Sequence, residues 1–266
     1  MTRPWQREAY ELTREIPEIY ALVNIIANAI AQRRLVAESR FAIKPSGDWT
    51  KAPEGHPSHL ILEHFEPLEG NTIPPFFRRM AMMDLIYGEG FLIGQWVEGC
   101  PYLLWEMVSP SEIAERAGRL YRRPYGDKRR FEIPVDTYVA RMSAYGDPPS
   151  SWIGQAVKEM REFLDWARLV YSRATPTIGE AQAERSKLSS KIFESLGMDE
   201  TDQSILDNPN QFVANRFTEK FIDPCADRLS NFITEAYLRP MLKTNDPTIN
   251  ESCYRARLVD LRRESP

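Results

Sequence analysis

The sequence predicts a mixed α+β protein, with helices and short strands sharing its first half and helices dominating its second. Apolar residues recur at steps of three and four over several long stretches, the period of a helix with one buried face. The stretch FLIGQWVEGCPYLLWEMV at 91–108 instead gathers aromatic and β-branched residues on either side of Glu98 and Gly99, as a hairpin does. With 266 residues, 42% of them hydrophobic and 27% charged, the chain can bury a sizeable core.

The elements come in order along the chain. From Ile16, the run IPEIYALVNIIANAIAQRRL puts Ile19, Leu22, Val23, Ile26, Ala27 and Ile30 on one helical face and ends in a basic turn at Arg33 and Arg34. RLVAESRFAIKP then reads as extended, and residues 44–57, with Pro45, Gly47, Pro53, Gly55 and Pro57, as a loop. A short helix is expected from Ser58. A longer one comes next over IPPFFRRMAMMDLIY, whose first turn accommodates Pro74 and Pro75. Gly88 and Gly90 read as a helix-to-strand turn, and further short strands fall at RLYRRPY, KRRFEIP and TYVARMSA. Residues 152–174 keep helical spacing through Ile153, Ala156, Val157, Met160, Phe163, Leu164, Ala167 and Val170, which makes a helix of roughly 33 Å at about 1.5 Å per residue. AQAERSKLSSKIFES is a second helix closed by Gly197. MDETDQSILDNPNQ is polar and turn-rich, with Asn208 and Pro209 at its tip; the helical period then resumes to Pro240, and SCYRARLVDLR alternates like a strand.

Pro224 is the anomaly in this pattern. Phe221, Ile222, Cys225, Leu229, Phe232, Ile233, Ala236 and Tyr237 keep helical steps around it, yet a proline in a helix interior costs about 3 kcal/mol. Either Pro224 bends a helix that began near Phe212, or the helix begins there with Asp223 as N-cap and Pro224 at N1. The two readings differ in whether residues 212–222 are helical and continuous with the helix beyond Pro224.

A formal charge of −4 and a pI of about 5.6 disfavour tight binding to phosphate backbones. Cys100, Cys225 and Cys253 are widely spaced and form no CxxC pair, so neither a disulfide framework nor a zinc knuckle is indicated and a reducing compartment fits. MTRPWQREAYELTREIPE has no apolar core of a signal peptide, and no run reaches the roughly 20 apolar residues of a membrane span, so neither secretion by that route nor membrane integration is expected.

No constellation of nucleophile, base and oxyanion donor can be assembled. His56, His59 and His64 lie beside Glu63 and Glu66, and His59 and Glu63 would share a helix face. The segment lacks the Glu that comes directly after the first His in zincins, and a solvated helix start is the plainer reading. Ser109 is not in a GxSxG elbow and reads as a helix cap before Glu112. Gly88 and Gly90 match neither phosphate-loop pattern. Arg122, Arg123, Lys128, Arg129 and Arg130 form a basic hairpin around Gly126, either a solvated face or a contact for acidic partners or nucleic acid. Trp152, Trp166 and Tyr171 keep to the helical period and read as core or subunit-contact anchors. Neither a catalytic residue nor a cofactor or metal site is assigned.

The order of segments resembles the portal proteins of tailed bacteriophages, in their actinobacteriophage branch. Four stretches carry the resemblance in sequence: WQREAYELTREIPEIYALVNIIANAIAQRRLVAE; HPSHLILEHFEPLEGNTIPPFFRRMAMMDLIYGEGFLIGQWVEGCPYLLWEMVSPSEI; DPPSSWIGQAVKEMREFLDWARLVYSRA; and FTEKFIDPCADRLSNFITEAYLRPML with YRARLVDL. The resemblance implies a portal-like fold, with a mixed wing of short strands at 1–150, a stem helix at 151–175, a connecting helix and tunnel-loop-like segment at 176–211, and a long wing helix with a terminal strand at 212–266. It further implies a ring of identical subunits, usually twelve, at one capsid vertex of the virion, assembled in the host cytoplasm and without enzymatic activity. Double-stranded DNA would pass through without sequence-specific binding during packaging and ejection. Terminase, a head-tail connector or adaptor and the major capsid protein would be partners, with no membrane involved.

In that arrangement Asp199, Glu200, Asp202, Asp207, Asn208 and Asn210 would face the channel, where carboxylates repel phosphate, and Trp152, Trp166 and Tyr171 would contact neighbouring subunits. The chain departs from the family between residues 174 and 184, too short for a clip and second stem helix, and after Pro266, where a crown segment would come. A non-viral adaptor binding a partner helix, and a metal-dependent hydrolase using the histidine segment, are the alternatives.

Overall fold

Residues 211–245 form one uninterrupted helical run, against which the terminal strand and several of the other helices pack. The run comprises α8 (Gln211–Phe217), a wide π turn at Thr218–Ile222, α9 (Asp223–Ile233), a second π turn at Thr234–Leu238 and α10 (Arg239–Asn245). The computed structural model describes residues 4–40, 48–68, 72–96, 98, 102–124, 128–135, 137–143, 151–172, 178–207 and 210–260.

Residues 212–222 are helical and run without a break into α9, so Pro224 does not start a helix. It and Pro240 each stand two residues beyond a π turn, in which the Asp223 and Arg239 N–H groups reach back five residues to the carbonyls of Thr218 and Thr234. The wider turn moves the preceding backbone off the proline ring, which relieves the clash that makes an interior proline costly.

The chain begins with α1 (Pro4–Glu15), which the sequence pattern did not separate, and α2 (Pro17–Ala31), whose buried face is the six residues expected. Strand β1 (Arg34–Ser39) pairs with a two-residue β2 (Thr50–Lys51) on one side and with β10 (Tyr254–Val259) on the other, both antiparallel. Helix α3 (Pro57–Glu63) begins one residue before the expected Ser58, with the His56 ring as its cap. After β3 (Glu66–Pro67), α4 (Ile73–Met82) widens into a π turn at Met83–Tyr87 and stops at Gly88, whose φ of 61° suits glycine.

The expected hairpin is present as β4 (Glu89–Gln95) and β5 (Leu104–Val108), with Phe91 opposite Val108. Gly90 lies inside β4 and not in the turn; a Cβ there would meet the Met107 methyl at 2.1 Å. Strand β9 (Tyr138–Ser143) pairs with β4, giving the sheet order β3-β5-β4-β9. A separate three-stranded sheet holds β6 (Ile113–Arg116), β7 (Arg119–Arg122) and β8 (Phe131–Glu132). Ser109 does not cap a helix: its hydroxyl accepts the Ser111 N–H (3.2 Å) in a turn that enters β6.

A short 3-10 turn at Ile153–Ala156 leads into α5 (Val157–Ser172), and α6 (Ile178–Ser195) packs on it, starting earlier than expected. The Gly197 N–H bonds the Glu194 carbonyl and the Met198 N–H the Phe193 carbonyl, with Gly197 at φ 73°, a Schellman stop.

One hydrophobic core takes residues from all four segments of the chain, among them Ala9, Ile26, Phe77, Trp105, Met160, Phe193, Leu229 and Leu258. Polar ties to the long helix thread through it. Asp84, at the end of α4, is buried and held by Arg228, with Nη2 at 2.5 Å and Nε at 3.0 Å from Oδ2. The Tyr237 hydroxyl donates to the Ile61 carbonyl at 2.7 Å, and the Tyr138 hydroxyl donates to the Ala236 carbonyl.

Among the described residues β10 has a strand partner on one edge only. On the other, Ser230 Oγ accepts the Leu258 N–H (2.9 Å) and Thr234 Oγ1 the Ala256 N–H (2.9 Å), while each hydroxyl donates to a carbonyl four residues back in its own helix. Two helical hydroxyls thus replace a neighbouring strand for two buried amides. Ser230→Ala leaves the Leu258 amide without its acceptor and should lower stability by about 1–3 kcal/mol in urea unfolding. The same change at exposed Ser252 is the control; equal midpoints for the two variants would refute the edge-satisfying role.

Candidate functional site

The segment expected to face a channel is built on a small acidic cap. Asp199 precedes the single-turn α7 (Glu200–Gln203) and accepts the Asp202 N–H at 3.0 Å, while Asp202 Oδ2 accepts the Asp199 N–H at 3.1 Å, a reciprocal capping box. The long helix then meets this cap with basic residues. Arg216 pairs with Asp199 and brings Nε to 3.1 Å from Asp202 Oδ1, and Lys220 Nζ lies 2.5 Å from Asp202 Oδ2.

The candidate residues therefore divide. Asp202, expected to face the channel, is instead 1% exposed, locked between two cations and the cap, and presents no charge to an open surface. Asp199 is exposed but neutralised by Arg216. Its carboxyl is held below the ordinary carboxylate range, first by the Asp202 amide and then by the charges of Arg216 and Lys220. Glu200 and Asp207 are exposed and pair with no cation among the described residues. Asn210 is exposed and caps α8 by accepting the Val213 N–H at 3.0 Å, with Phe212 69% exposed beside it. Asn208 lies outside the described residues.

Trp152 and Trp166 both pack within the chain itself. The Trp152 indole donates to the Leu196 carbonyl at 3.0 Å and its ring lies 5.6 Å from Phe221, so it ties the start of α5 to the end of α6 and to the long helix. Trp166 is half-buried against Phe163 at 5.9 Å. The backbone of Tyr171 is in the last turn of α5, and its side chain lies outside the described residues.

The three histidines do not form one metal-binding group. His56 stacks on Tyr254 (4.7 Å) and its Nδ1 accepts the Ser58 N–H. His59 Nε2 is 2.8 Å from the Ala52 carbonyl, and His64 stacks on Tyr102 at 4.4 Å. Among the described residues no group of three His, Cys, Asp or Glu could hold a metal ion.

Sequence reasoning missed a groove of about 1800 Å³ between the end of α2, β1, α3, the start of α4 and the first π turn of the long helix. Leu60 and Ile73 on its walls are 50% and 45% exposed. It is assembled from segments far apart in the chain, so no local pattern signals it.

The cap makes two measurable demands. Asp202→Ala removes one half of the box and the charge that holds Arg216 and Lys220, and should cost about 2 kcal/mol in urea unfolding. Asp207→Ala should change stability by less than about 0.5 kcal/mol, and a similar loss at both sites would refute the structural role of Asp202. The pH dependence comes from Asp199. Its folded pKa is depressed, so its contribution is complete above the ordinary value of 3.8 and is lost as pH falls through the depressed one. The stability difference between the parent and Asp199→Ala should therefore narrow towards the acid end, and a difference constant down to pH 2 would contradict this.

No protein-family model and no curated protein sequence matches the chain. Solved structures do. The chain aligns over 97% of its length with a chain in the neck of an empty GTA particle computed with C6 symmetry (TM-score 0.63, 10% identity, 85% of that chain). A chain in the virion of a native gene transfer agent particle aligns over the same shares at TM-score 0.63 and 11% identity. The crystal structure of an HK97 family phage portal protein from Corynebacterium diphtheriae aligns over 97% of both chains, at TM-score 0.53 and 10% identity. At such identities the likeness is one of three-dimensional form, and what this chain shares with that phage portal protein is its α+β portal fold.

Proposed function

We propose that this chain is a portal subunit: a ring of identical copies, twelve in the preferred reading, at one vertex of a phage-type capsid. Double-stranded DNA passes through its central channel, and the ring docks terminase and then a head-tail connector. The observation that carries this reading is the fold match over 97% of both chains to the Corynebacterium diphtheriae portal protein. A further match, over 92% of this chain, is to the neck of a native GTA particle computed with C12 symmetry. A ring of this kind forms when one face of a subunit binds a different face of the next and the rotation closes.

In this reading residues 1–150 are the wing, 151–175 the stem helix, 176–211 the connecting helix and tunnel-loop-like segment, and 212–266 the long wing helix with the terminal strand. Glu200 and Asp207, exposed and without cation partners among the described residues, face the channel. The capping box that includes Asp202 holds their segment in shape. The protein acts as a conduit and docking platform in the virion, in contact with the major capsid protein, and carries no reaction of its own.

Mass photometry and negative-stain microscopy of the purified chain test the proposal. The expected result is a closed ring of fixed copy number. A stable monomer at micromolar concentration would overturn it.

A further inference from the structure

The sheet β10-β1-β2 has two unlike faces. Its register sets Tyr254, Ala256 and Leu258 with Leu35, Ala37 and Ser39 on the face toward the long helix, where all but Leu35 are buried. The other face carries Arg34, Val36 and Glu38 of β1, Arg255, Arg257 and Val259 of β10, and Lys51 of β2, which stands directly across from Glu38. The Arg40 N–H bonds the Cys253 carbonyl at 2.8 Å, which continues the β1-β10 ladder by one residue and puts Arg40 on the side of Arg34 and Glu38. The Arg255 guanidinium lies 4.5 Å over the ring of Trp49, just before β2. Arg34, Arg40, Lys51, Arg255 and Arg257 thus share one face with a single carboxylate, in a chain whose formal charge is −4.

That carboxylate is taken up inside the sheet. Glu38 is 6% exposed; its Oε2 accepts from Arg255 Nε at 2.6 Å and its Oε1 from Arg257 Nη1 at 3.1 Å. Both oxygens turn to β10, so Lys51, on the opposite side of β1, forms no ion pair with it. Among the described residues no carboxylate pairs with Arg34, Arg40 or Lys51, and all three are exposed. Asp48 and Glu54, just outside the two ends of β2, and Asp260 after β10 border the face. Elsewhere the surface is laced with pairs between elements, such as Arg168 with Glu15 and Arg185 with Glu18.

The arginines are held in place before any ligand arrives. Glu38 fixes both Arg255 and Arg257, and the Trp49 ring supports the Arg255 guanidinium. Arg255 meets Glu38 through Nε, so among the described residues both of its Nη groups keep their donors for something else. From Arg34 to Arg40 the face runs about 20 Å at roughly 3.3 Å per residue, and its three strands span about 10 Å at roughly 4.8 Å from one to the next. Like charges crowded on one sheet face oppose folding, and an anion shared among them removes that cost.

We propose that this face of the β10-β1-β2 sheet, through Arg34, Arg40, Lys51 and Arg255, is a contact for the phosphate backbone of duplex DNA. Guanidinium forks match phosphate oxygens. A face about 20 Å long runs beside about six phosphates of one strand, which follow one another at roughly 3.4 Å along the duplex axis. The face is a sheet surface with no element that enters a groove, so it positions the duplex and reads no bases. The net negative charge of the rest of the chain opposes binding, which makes the contact weak and salt-sensitive. The choice of DNA over an acidic protein rests on the portal reading, in which DNA is the polyanion at hand.

The test is fluorescence anisotropy of a labelled duplex of about 30 base pairs with the full chain, between about 50 and 200 mM salt. Mass photometry on the same samples reports the copy number. The triple variant R34E/R40E/K51E should lose at least about tenfold in affinity at about 100 mM salt, and its slope of log affinity against log salt should fall by about 3. The triple variant R116E/K128E/R130E makes the same change in net charge at exposed cations elsewhere, Arg116 in β6 and Lys128 and Arg130 ahead of β8, and should lose far less. Circular dichroism checks that each variant is folded. R34A/R40A/K51A should show a smaller loss in the same direction, and it carries the test if the reversal triple does not fold. The proposal fails if the parent does not bind the duplex at the lowest salt or if the two reversal triples weaken binding equally. It also fails if polyglutamate binds the parent as well as DNA does, which would make the face a site for acidic polypeptide. Ring formation without DNA binding sinks this inference and leaves the portal reading standing; a DNA-binding monomer that depends on this face does the reverse.

Discussion

The structure depends on keeping one long helix intact through two prolines. An interior proline leaves a carbonyl without its N–H donor and crowds the turn before it. Here each proline comes just after a π turn, closed by Asp223 on Thr218 and by Arg239 on Thr234, so the run from 211 to 245 continues without a break. Had the helix started at Asp223, Arg216 and Lys220 would not share a rigid element with Arg228, Ser230 and Thr234. The acidic cap, the end of α4 and the edge of β10 would then have no common support.

That support is polar as well as apolar. Buried Asp84 needs a cation, and Arg228 supplies it from the long helix. The Cys225 thiol beside them is pushed well up, chiefly by burial and further by the Asp84 carboxylate, so it remains a neutral packing group. Arg33, at the end of α2, pairs with Asp223 beside the first π turn of the long helix. Each contact fixes an angular position on the helix that nonspecific apolar packing would leave free.

The two charged surfaces answer different requirements. At 199–220, acid meets base within the chain, and much of the apparent acidity in the sequence is taken up by cap geometry and ion pairs. At 116–122 Arg119 and Arg122 pair with Glu132 and Glu106, while Arg116 and Arg119 stand opposite each other beside a strained turn. Charge counted along the sequence gives the wrong weight to both, because the count cannot see which carboxylates already have a cation beside them.

Local chemistry determined most of the elements. The periods of α2, α4, α5, α6 and the long helix, the glycine stops at Gly88 and Gly197, the prolines in the first turn of α4 and the β4-β5 hairpin are all properties of neighbouring residues, and so could be read from the chain. α1 stayed hidden in a polar run, the β6 strand behind a serine that looks like a cap, and α7 within a turn-rich loop. Their short patterns are ambiguous until a partner is present. Tertiary structure alone decided that Pro224 lies within a helix, that Asp202 is buried against Arg216 and Lys220, that the three histidines take different partners, and that Ser230 and Thr234 stand in for a strand. In each case the deciding atom comes from a residue distant in the chain or from hydrogen bonds across a wide turn, and the side chain's own sequence neighbourhood carries no record of it.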